Sequence, residues 1–126
     1  MKFPKKTKQL KESEHAIQTA ILHYLGYKGF YTIRLNSGMI PIISKGRSRL
    51  IRMAERGTPD IMAFRKFNQK INGIPLTLPL PDLFFFEVKV PGNKPTFLQE
   101  AKMKELEEYG AKCYVVHSVK EVEQII

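Results

Sequence analysis

The segment that most constrains the fold is residues 83–90, which read LFFFEVKV. It begins with consecutive apolar residues, so both faces of a strand would be buried there, as in the centre of a sheet covered on both sides. It ends in alternation, so Glu87 and Lys89 leave one face while Val88 points to the other. The segment therefore predicts a central strand that ends in a carboxylate and an ammonium. Burying these two groups is costly unless they pair with each other or bind an ion.

An amphipathic helix is predicted near the start of the chain. Apolar residues recur at helical spacing through residues 17–25, Ser13 is a suitable N-cap, and Gly26 or Gly29 is a suitable stop. Residues 30–35 alternate between apolar and polar types, which predicts that a strand follows this helix.

The middle of the chain is less regular. Residues 39–43 predict a short strand interrupted by proline, and residues 50–54 predict a helical turn. Residues 60–65 predict a further strand, and Asn72-Gly73 is a strong hairpin signal that would pair this strand with the central one. The proline-punctuated residues 75–81 form either a loop or an edge of that hairpin.

After the central strand, the sequence predicts a helix over residues 97–109, a strand over 113–117 and a short helix opened by a capping box at Ser118. This order of elements describes one α/β domain, a mixed β-sheet flanked by helices. We expect the domain to span residues 12–126 and to follow a basic, flexible arm at residues 1–11.

The charge of the chain favours a polyanionic partner, usually nucleic acid. There are 21 Lys and Arg against 12 Asp and Glu, a net charge of +9 on 126 residues. Besides the N-terminal arm, a second basic cluster lies in the middle of the chain. Its members are Lys45, Arg47, Arg49, Arg52 and Arg56. The cluster directly precedes a rigid turn at residues 57–59, so as a group it favours contact with a phosphate backbone, with a solvated surface as the alternative.

Four more polar residues are candidates for phosphate contact. Arg34, Asn36 and Ser37 end the first predicted strand, and Lys94 lies near the start of the second predicted helix. Arg34, Asn36 and Ser37 are residue types that more often occupy an ordinary surface or turn position.

Several classes of protein are disfavoured by the composition. No apolar run approaches the ~20 residues that cross a bilayer, and the N-terminus lacks the apolar core of a signal peptide. The lone Cys113 fits a reducing, cytoplasmic environment and lies in an apolar run, which favours burial over reactivity. His15, His23 and His117 lack the spacing of metal ligands, so zinc is not expected. A phage or mobile-element origin would suit so compact a chain, but no residue indicates it.

Asp60 follows the turn Gly57-Thr58-Pro59, which fixes the direction of its carboxylate. If its strand pairs with the central strand, Asp60 and Glu87 lie side by side. Two like charges ~4 Å apart repel by about 4 kcal/mol at an effective dielectric constant of about 20. A divalent cation would remove this repulsion, and oxygen ligands suit Mg²⁺ or Mn²⁺. Taken singly, Asp60 could merely cap a turn, and Glu87 with Lys89 could be a plain ion pair.

Pro59-Asp60, followed after a hairpin by Glu87-Val88-Lys89, resembles the signature of PD-(D/E)XK nucleases. Glu14 on the first helix and Gln99 at the start of the second narrow the resemblance to the VRR-NUC branch, over residues 12–119. The resemblance implies a restriction-endonuclease-like fold in a stand-alone nuclease domain. It also implies that Asp60, Glu87 and the Val88 carbonyl would hold the metal. Lys89 would position and help deprotonate the attacking water, or stabilise charge on the phosphate.

Two implied roles have structural alternatives. Glu14 would lie beside the metal, as a ligand through water or as an orienting group, yet it would also complement the dipole of its helix. Gln99 would hold the water or Lys89, yet it would also complete a capping box with Thr96. Met103 stands where some related nucleases have a tyrosine, so no tyrosine role is expected there.

The function implied is that of a Mg²⁺- or Mn²⁺-dependent endonuclease that acts on double-stranded DNA, with no other small-molecule cofactor. The resemblance further implies a homodimer that cuts branched DNA such as four-way junctions. The apolar residues 74–80 and 40–43 are candidates for part of the dimer interface. Two alternatives stay open. The chain could be a nucleic-acid-binding module with a vestigial site, or a structural or adaptor domain whose charge serves solubility.

Overall fold

A computed structural model describes residues 12–35, 39–52 and 54–126. The predicted basic arm, Asn36 and Ser37 therefore lie outside the described residues. The helices are α1 (Glu14–Tyr27), α2 (Phe97–Glu108) and α3 (Val119–Ile125). The strands are β1 (Tyr31–Arg34), β2 (Met39–Ser44), β3 (Arg47–Arg52), β4 (Ile61–Ile71), β5 (Ile74–Val88) and β6 (Lys112–Val116). In the described residues, no helix has the length and apolar character needed to cross a membrane.

The main sheet has four strands in the order β1-β4-β5-β6. β4 is antiparallel to both β1 and β5, whereas β6 is parallel to β5. β5 thus lies between two neighbours in its C-terminal half, as the apolar run at residues 83–86 predicts. β4 and β5 join through Asn72 (φ 52°) and Gly73 (φ 77°), whose consecutive positive φ angles suit a tight hairpin turn. The predicted hairpin is confirmed, and residues 75–81 belong to its second strand rather than to a loop.

The core lies between one face of this sheet and the helices α1 and α3. Phe84, Phe86 and Val88 alternate along β5 and are buried on that face. They cluster with apolar side chains of α1, which are Ile17, Ile21 and Leu25, and with Val122 of α3. α1 begins after Ser13, whose Oγ accepts a hydrogen bond from the Ala16 N–H at 3.1 Å. The predicted stripe and N-cap of this helix are therefore confirmed.

The opposite face of the sheet is covered less completely. It carries the alternate residues of β5, which include Leu83, Phe85 and Glu87. α2 packs on this side against β6 and buries Met103. This cover extends far enough to bury Phe85, while Leu83 remains partly exposed. The covered part of this face is the part that holds Glu87.

The prediction of a helical turn over residues 50–54 is wrong. Residues 47–52 form β3, which pairs with β2 in a separate two-stranded hairpin. Lys45 (φ 50°) and Gly46 (φ 72°) form its turn. Lysine is uncommon at the first of two positive-φ positions, where asparagine or aspartate is usual, so the sequence carried a weak turn signal. We call residues 39–52 the basic hairpin; it has no substantial contact with other described elements.

The C-terminal elements follow the predicted order. Ser118 is the N-cap of α3, and its Oγ accepts from the Glu121 N–H at 3.2 Å. The Glu121 carboxylate reaches one residue further back than a capping box requires and accepts from the His117 N–H at 2.6 Å. The predicted cap is thus confirmed for its serine, while the glutamate binds a neighbouring donor.

Candidate active site

Strand pairing brings Asp60 and Glu87 together. Ile61 of β4 is opposite Phe86 of β5, so the residue before Ile61 meets the residue after Phe86. The Asp60 Oδ2 atom accepts a hydrogen bond from the Val88 N–H at 2.7 Å, which fixes the carboxylate at the end of β5. Glu87 is buried, with 1% of its surface exposed. Two carboxylates predicted to lie side by side therefore do so at the end of the central strand.

The turn before Asp60 is fixed by contact with α2. Gly57 has a φ of +83°, and a Cβ atom added there would lie 2.7 Å from the carbonyl oxygen of Leu98. Glycine is therefore required at position 57 for two reasons, which are the positive φ angle and the close approach of α2. Pro59 is fully buried, and the Asp60 carbonyl accepts from the Leu35 N–H at 2.7 Å. These contacts hold the backbone of Asp60 on both sides.

Lys89 lies beside the carboxylate pair without closing on it. Its Nζ atom is 3.7 Å from Glu87 Oε1, longer than a good hydrogen bond. Its backbone N–H donates to the Val116 carbonyl at 3.0 Å, which anchors Lys89 to β6. Lys89 and Glu87 therefore form an ion pair, as the structural alternative predicts, but the pair is too long to be a good hydrogen bond. The ammonium keeps the capacity to donate to another group.

Glu87 has an unsatisfied oxygen. Within the part of the chain that the structure describes, no hydrogen-bond donor reaches its buried Oε2 atom. A buried polar atom without a partner is destabilising, and a charged one more so. A cation, a water molecule or a proton shared with Asp60 would satisfy this oxygen where it lies.

The electrostatics of Asp60 and Glu87 also disfavour two negative charges at this position. Burial, reinforced by the charge of Asp60, raises the pKa of Glu87 from 4.5 to about 8. Burial also raises the pKa of Asp60, against the opposing effect of the Val88 N–H. The charge of Glu14 raises both pKa values, so this residue of α1 lies near enough to act on the site. The site resists holding its full negative charge unless a cation is added.

The donor set fits a hard divalent cation. Asp60 and Glu87 supply carboxylate oxygens, and Glu87 Oε2 has no hydrogen-bond donor among the described residues. Among the described residues, no three Asp, Glu, His or Cys side chains form a group that could hold an ion between them. Two carboxylates, with water filling the other positions, match the way Mg²⁺ is usually held. A role of Glu14 at the metal, as a ligand directly or through water or as an orienting group, stays a prediction.

Comparison with known proteins adds to this geometry. Neither a family model nor a curated protein sequence matches the chain. Among solved structures, one that matches is described as a VRR_NUC domain. It is 23% identical, the match covers 89% of this chain and 91% of that chain, and the TM-score is 0.56. The chain has the fold of a VRR_NUC domain. The mixed α/β sheet predicted from the residues and the restriction-endonuclease-like fold implied by the resemblance are therefore confirmed.

In this VRR_NUC fold, Gln99 completes the cap of α2. Its Oε1 atom accepts from the Thr96 N–H at 2.8 Å, and its own N–H donates to Thr96 Oγ1 at 3.2 Å. The capping-box alternative is thus confirmed. It occupies the side-chain oxygen and leaves only the amide nitrogen to donate elsewhere, so a role towards Lys89 or water stays a prediction.

The candidate DNA contacts fall on three parts of the VRR_NUC fold. Arg34 donates from Nη2 to Thr19 Oγ1 of α1 at 3.0 Å, so its guanidinium is engaged within the protein. Arg56 and Lys94 are exposed in the loops that flank the active-site turn and α2. The remaining candidates lie in the basic hairpin, where Lys45, Arg47 and Arg49 are exposed and Arg52 belongs to β3.

Two contacts of the site carried no sequence signal. The first is the approach of Leu98 to Gly57, which joins residues from distant parts of the chain. The second involves His117, whose Nε2 lies 3.0 Å from the Asn93 carbonyl while Nδ1 lies 3.1 Å from the carboxylate of α3's first turn. This histidine ties the loop after β5 to α3.

Cys113 is half-buried, and burial raises its pKa to about 11, so its thiol is protonated at neutral pH.

Proposed function

We propose that the chain is a metal-dependent nuclease that hydrolyses phosphodiester bonds of DNA at Asp60, Glu87 and Lys89. One observation carries the proposal: two carboxylates meet at the end of paired strands, and one has a buried oxygen that lacks a donor. The fold of a VRR_NUC domain supports it. A vestigial site would have little reason to keep so unfavourable a charge pair buried.

The chain's own residues have separable tasks in this proposal. Asp60 and Glu87 would hold Mg²⁺ or Mn²⁺, which supplies an activated water and neutralises charge on the phosphate. The Val88 N–H keeps the Asp60 carboxylate in place, and the burial of Glu87 keeps competing water away from one of its oxygens. The Lys89 ammonium, 3.7 Å from Glu87, would donate to the attacking water or to a phosphate oxygen.

We further propose that the basic hairpin binds the DNA backbone. Lys45, Arg47 and Arg49 are exposed on a hairpin that is not part of the main sheet, and the chain has a net charge of +9. Affinity should then fall steeply with salt, because each neutralised phosphate releases counterions. A combined Arg47→Ala and Arg49→Ala variant should bind DNA more weakly and show a shallower dependence on salt.

The preference for branched DNA and the homodimer belong to the same proposal. Each strand of a junction needs its own active site, so two subunits would cut two strands. Large apolar side chains are exposed on both hairpins, with Ile43 at 80% and Ile74 at 70% exposure, which suits a contact between copies. A monomeric mass by light scattering, together with undiminished cleavage of two strands, would exclude this part of the proposal.

The deciding experiment is nicking of linear, flapped and four-way DNA in Mg²⁺, Mn²⁺ or EDTA. We expect metal-dependent cleavage by the wild-type chain and its loss in Asp60→Ala and Lys89→Ala. Lys104→Ala is a matched control, because Lys104 is an exposed lysine on α2. Activity that survives EDTA or both substitutions would refute a metal-dependent nuclease that acts through these residues. Salt-dependent binding without any cleavage by the wild type would favour the nucleic-acid-binding module instead.

A further inference from the structure

The face of the sheet that holds Glu87 continues into an open aromatic surface. Leu83 lies four residues before Glu87 on β5 and shares its face. Leu83 pairs with Phe64 of β4, and Phe64 pairs in turn with Tyr31 of β1. Tyr31 and Phe64 are stacked, with ring centroids 5.1 Å apart and planes at 30°. Tyr31 remains 64% exposed.

The described helices α1, α2 and α3 leave this surface uncovered. Arg34 donates to Thr19 of α1, so the even-numbered side chains of β1 face α1, and Tyr31 and Ile33 face the other way. On their side of the sheet, α2 packs over β6, at the far edge from β1. Ile33 is accordingly 36% exposed.

The surface is continuous with the candidate active site. Four residues of β5 and two strand spacings separate Glu87 from Tyr31, which places the ring about 15 Å from the carboxylates. This distance equals roughly four steps of stacked DNA. Lys66, exposed and two residues beyond Phe64, lies on the same face and would meet a phosphate.

We propose that Tyr31, supported by Phe64, is a stacking platform for an unpaired nucleobase of the DNA held at the active site. The proposal rests on the nuclease function and specifies its substrate, as DNA with an unpaired base a few nucleotides from the cut bond. A base is planar and apolar on its faces, and aromatic side chains accept any of the four. The neighbouring lysine and the net charge of +9 suit the phosphate that accompanies it.

A second copy of the chain suits this surface less well. Tyr31 and Ile33 together expose roughly 200 Å², given that a large aromatic side chain covers about 150–250 Å². A stable interface needs about 800 Å² from each partner. One base on the ring of Tyr31 matches the size of the exposed area.

The test uses a short single-stranded DNA that carries 2-aminopurine at successive positions, with the full chain in EDTA. Stacking on tyrosine quenches this base, so we expect strong quenching at one or two adjacent positions. Tyr31→Ala and Tyr31→Leu should abolish the quenching and weaken binding roughly 5- to 100-fold, the range for a lost base–aromatic stack. Tyr31→Phe should retain both. Tyr109→Ala, which removes another highly exposed tyrosine, is the control.

The outcomes separate this inference from the nuclease. Quenching that depends on Tyr31, in a chain that cleaves no DNA with Mg²⁺ or Mn²⁺, supports the platform and refutes the nuclease. Cleavage by the wild type with quenching and affinity unchanged in Tyr31→Leu refutes the platform alone. A change of mass by light scattering in Tyr31→Leu, with no quenching in the wild type, would assign the surface to a second copy and also refute the platform. The leucine variant keeps Phe64 covered, and its thermal unfolding checks that it folds.

Discussion

Substitution of Gly57 by alanine tests whether the active-site turn is held by its contact with α2. The added Cβ would lie 2.7 Å from the Leu98 carbonyl oxygen and 3.0 Å from two further atoms of that residue. A non-glycine residue at a φ of +83° costs roughly 1–2 kcal/mol, and forcing atoms into a packed contact costs typically about 1–3 kcal/mol. We expect Gly57→Ala to lose about 2–5 kcal/mol, a large part of the ~5–15 kcal/mol that stabilises a domain.

The matched control is Gly110→Ala. Gly110 has a similar φ of +94°, but a Cβ there would meet nothing within 4 Å. It should therefore lose only the conformational part, roughly 1–2 kcal/mol. Urea unfolding at one temperature measures the free energy of unfolding of both variants. Nicking assays without urea, at a temperature where both variants are folded, measure their cleavage activity. Because Asp60 follows the turn, Gly57→Ala should also lose more cleavage than the control. Equal losses of stability in the two variants would refute the contact with Leu98 as the reason for glycine.

Three smaller perturbations follow from the same structure. Thr96→Ala removes the hydrogen bond that Thr96 Oγ1 accepts from the Gln99 N–H and should lower the free energy of unfolding in urea by about 1 kcal/mol; no change would show that the cap is unimportant. Ile21→Val removes one buried methylene from the core and should lower it by about 0.5–1.5 kcal/mol, whereas Ile71→Val, at a half-exposed position, should change it little. For Glu87, the folded pKa of about 8 lies above the ordinary 4.5, so its favourable contribution is complete below about pH 4.5 and is lost as the pH rises through 8. In EDTA, unfolding should thus become easier across this range, less so in Glu87→Gln, and a profile identical for both proteins would contradict the assignment.

Local patterns foresaw most of the sheet and the first helix. The apolar run of β5 could be buried only between neighbouring strands. The Asn72-Gly73 turn could join β5 to β4 only as an antiparallel hairpin. The spacing of Ile17, Ile21 and Leu25 likewise left one face of α1 to bury. In each case the hydrophobic period and the turn chemistry agree within a short stretch of chain.

The basic hairpin shows why other parts were missed. Its turn uses lysine where asparagine or aspartate usually accepts positive φ, and its strands contain arginines that a helix would hold equally well. Nothing in the segment alone decides between the two. The approach of Leu98 to Gly57 is hidden for another reason, because it depends on how α2 packs on the sheet.

The carboxylate pair is a part of the structure that does not favour the stability of the fold. Asp60 gains a hydrogen bond from Val88, but Glu87 Oε2 is buried without a donor in the described structure, and both pKa values are raised. The surrounding fold must therefore stabilise an arrangement that is unfavourable by itself. The packing of Phe86 and Val88 on the opposite face of β5 does so, because it fixes the strand whichever way Glu87 is charged. A buried group that opposes stability and is nevertheless kept in place by the packing around it is typical of a functional site.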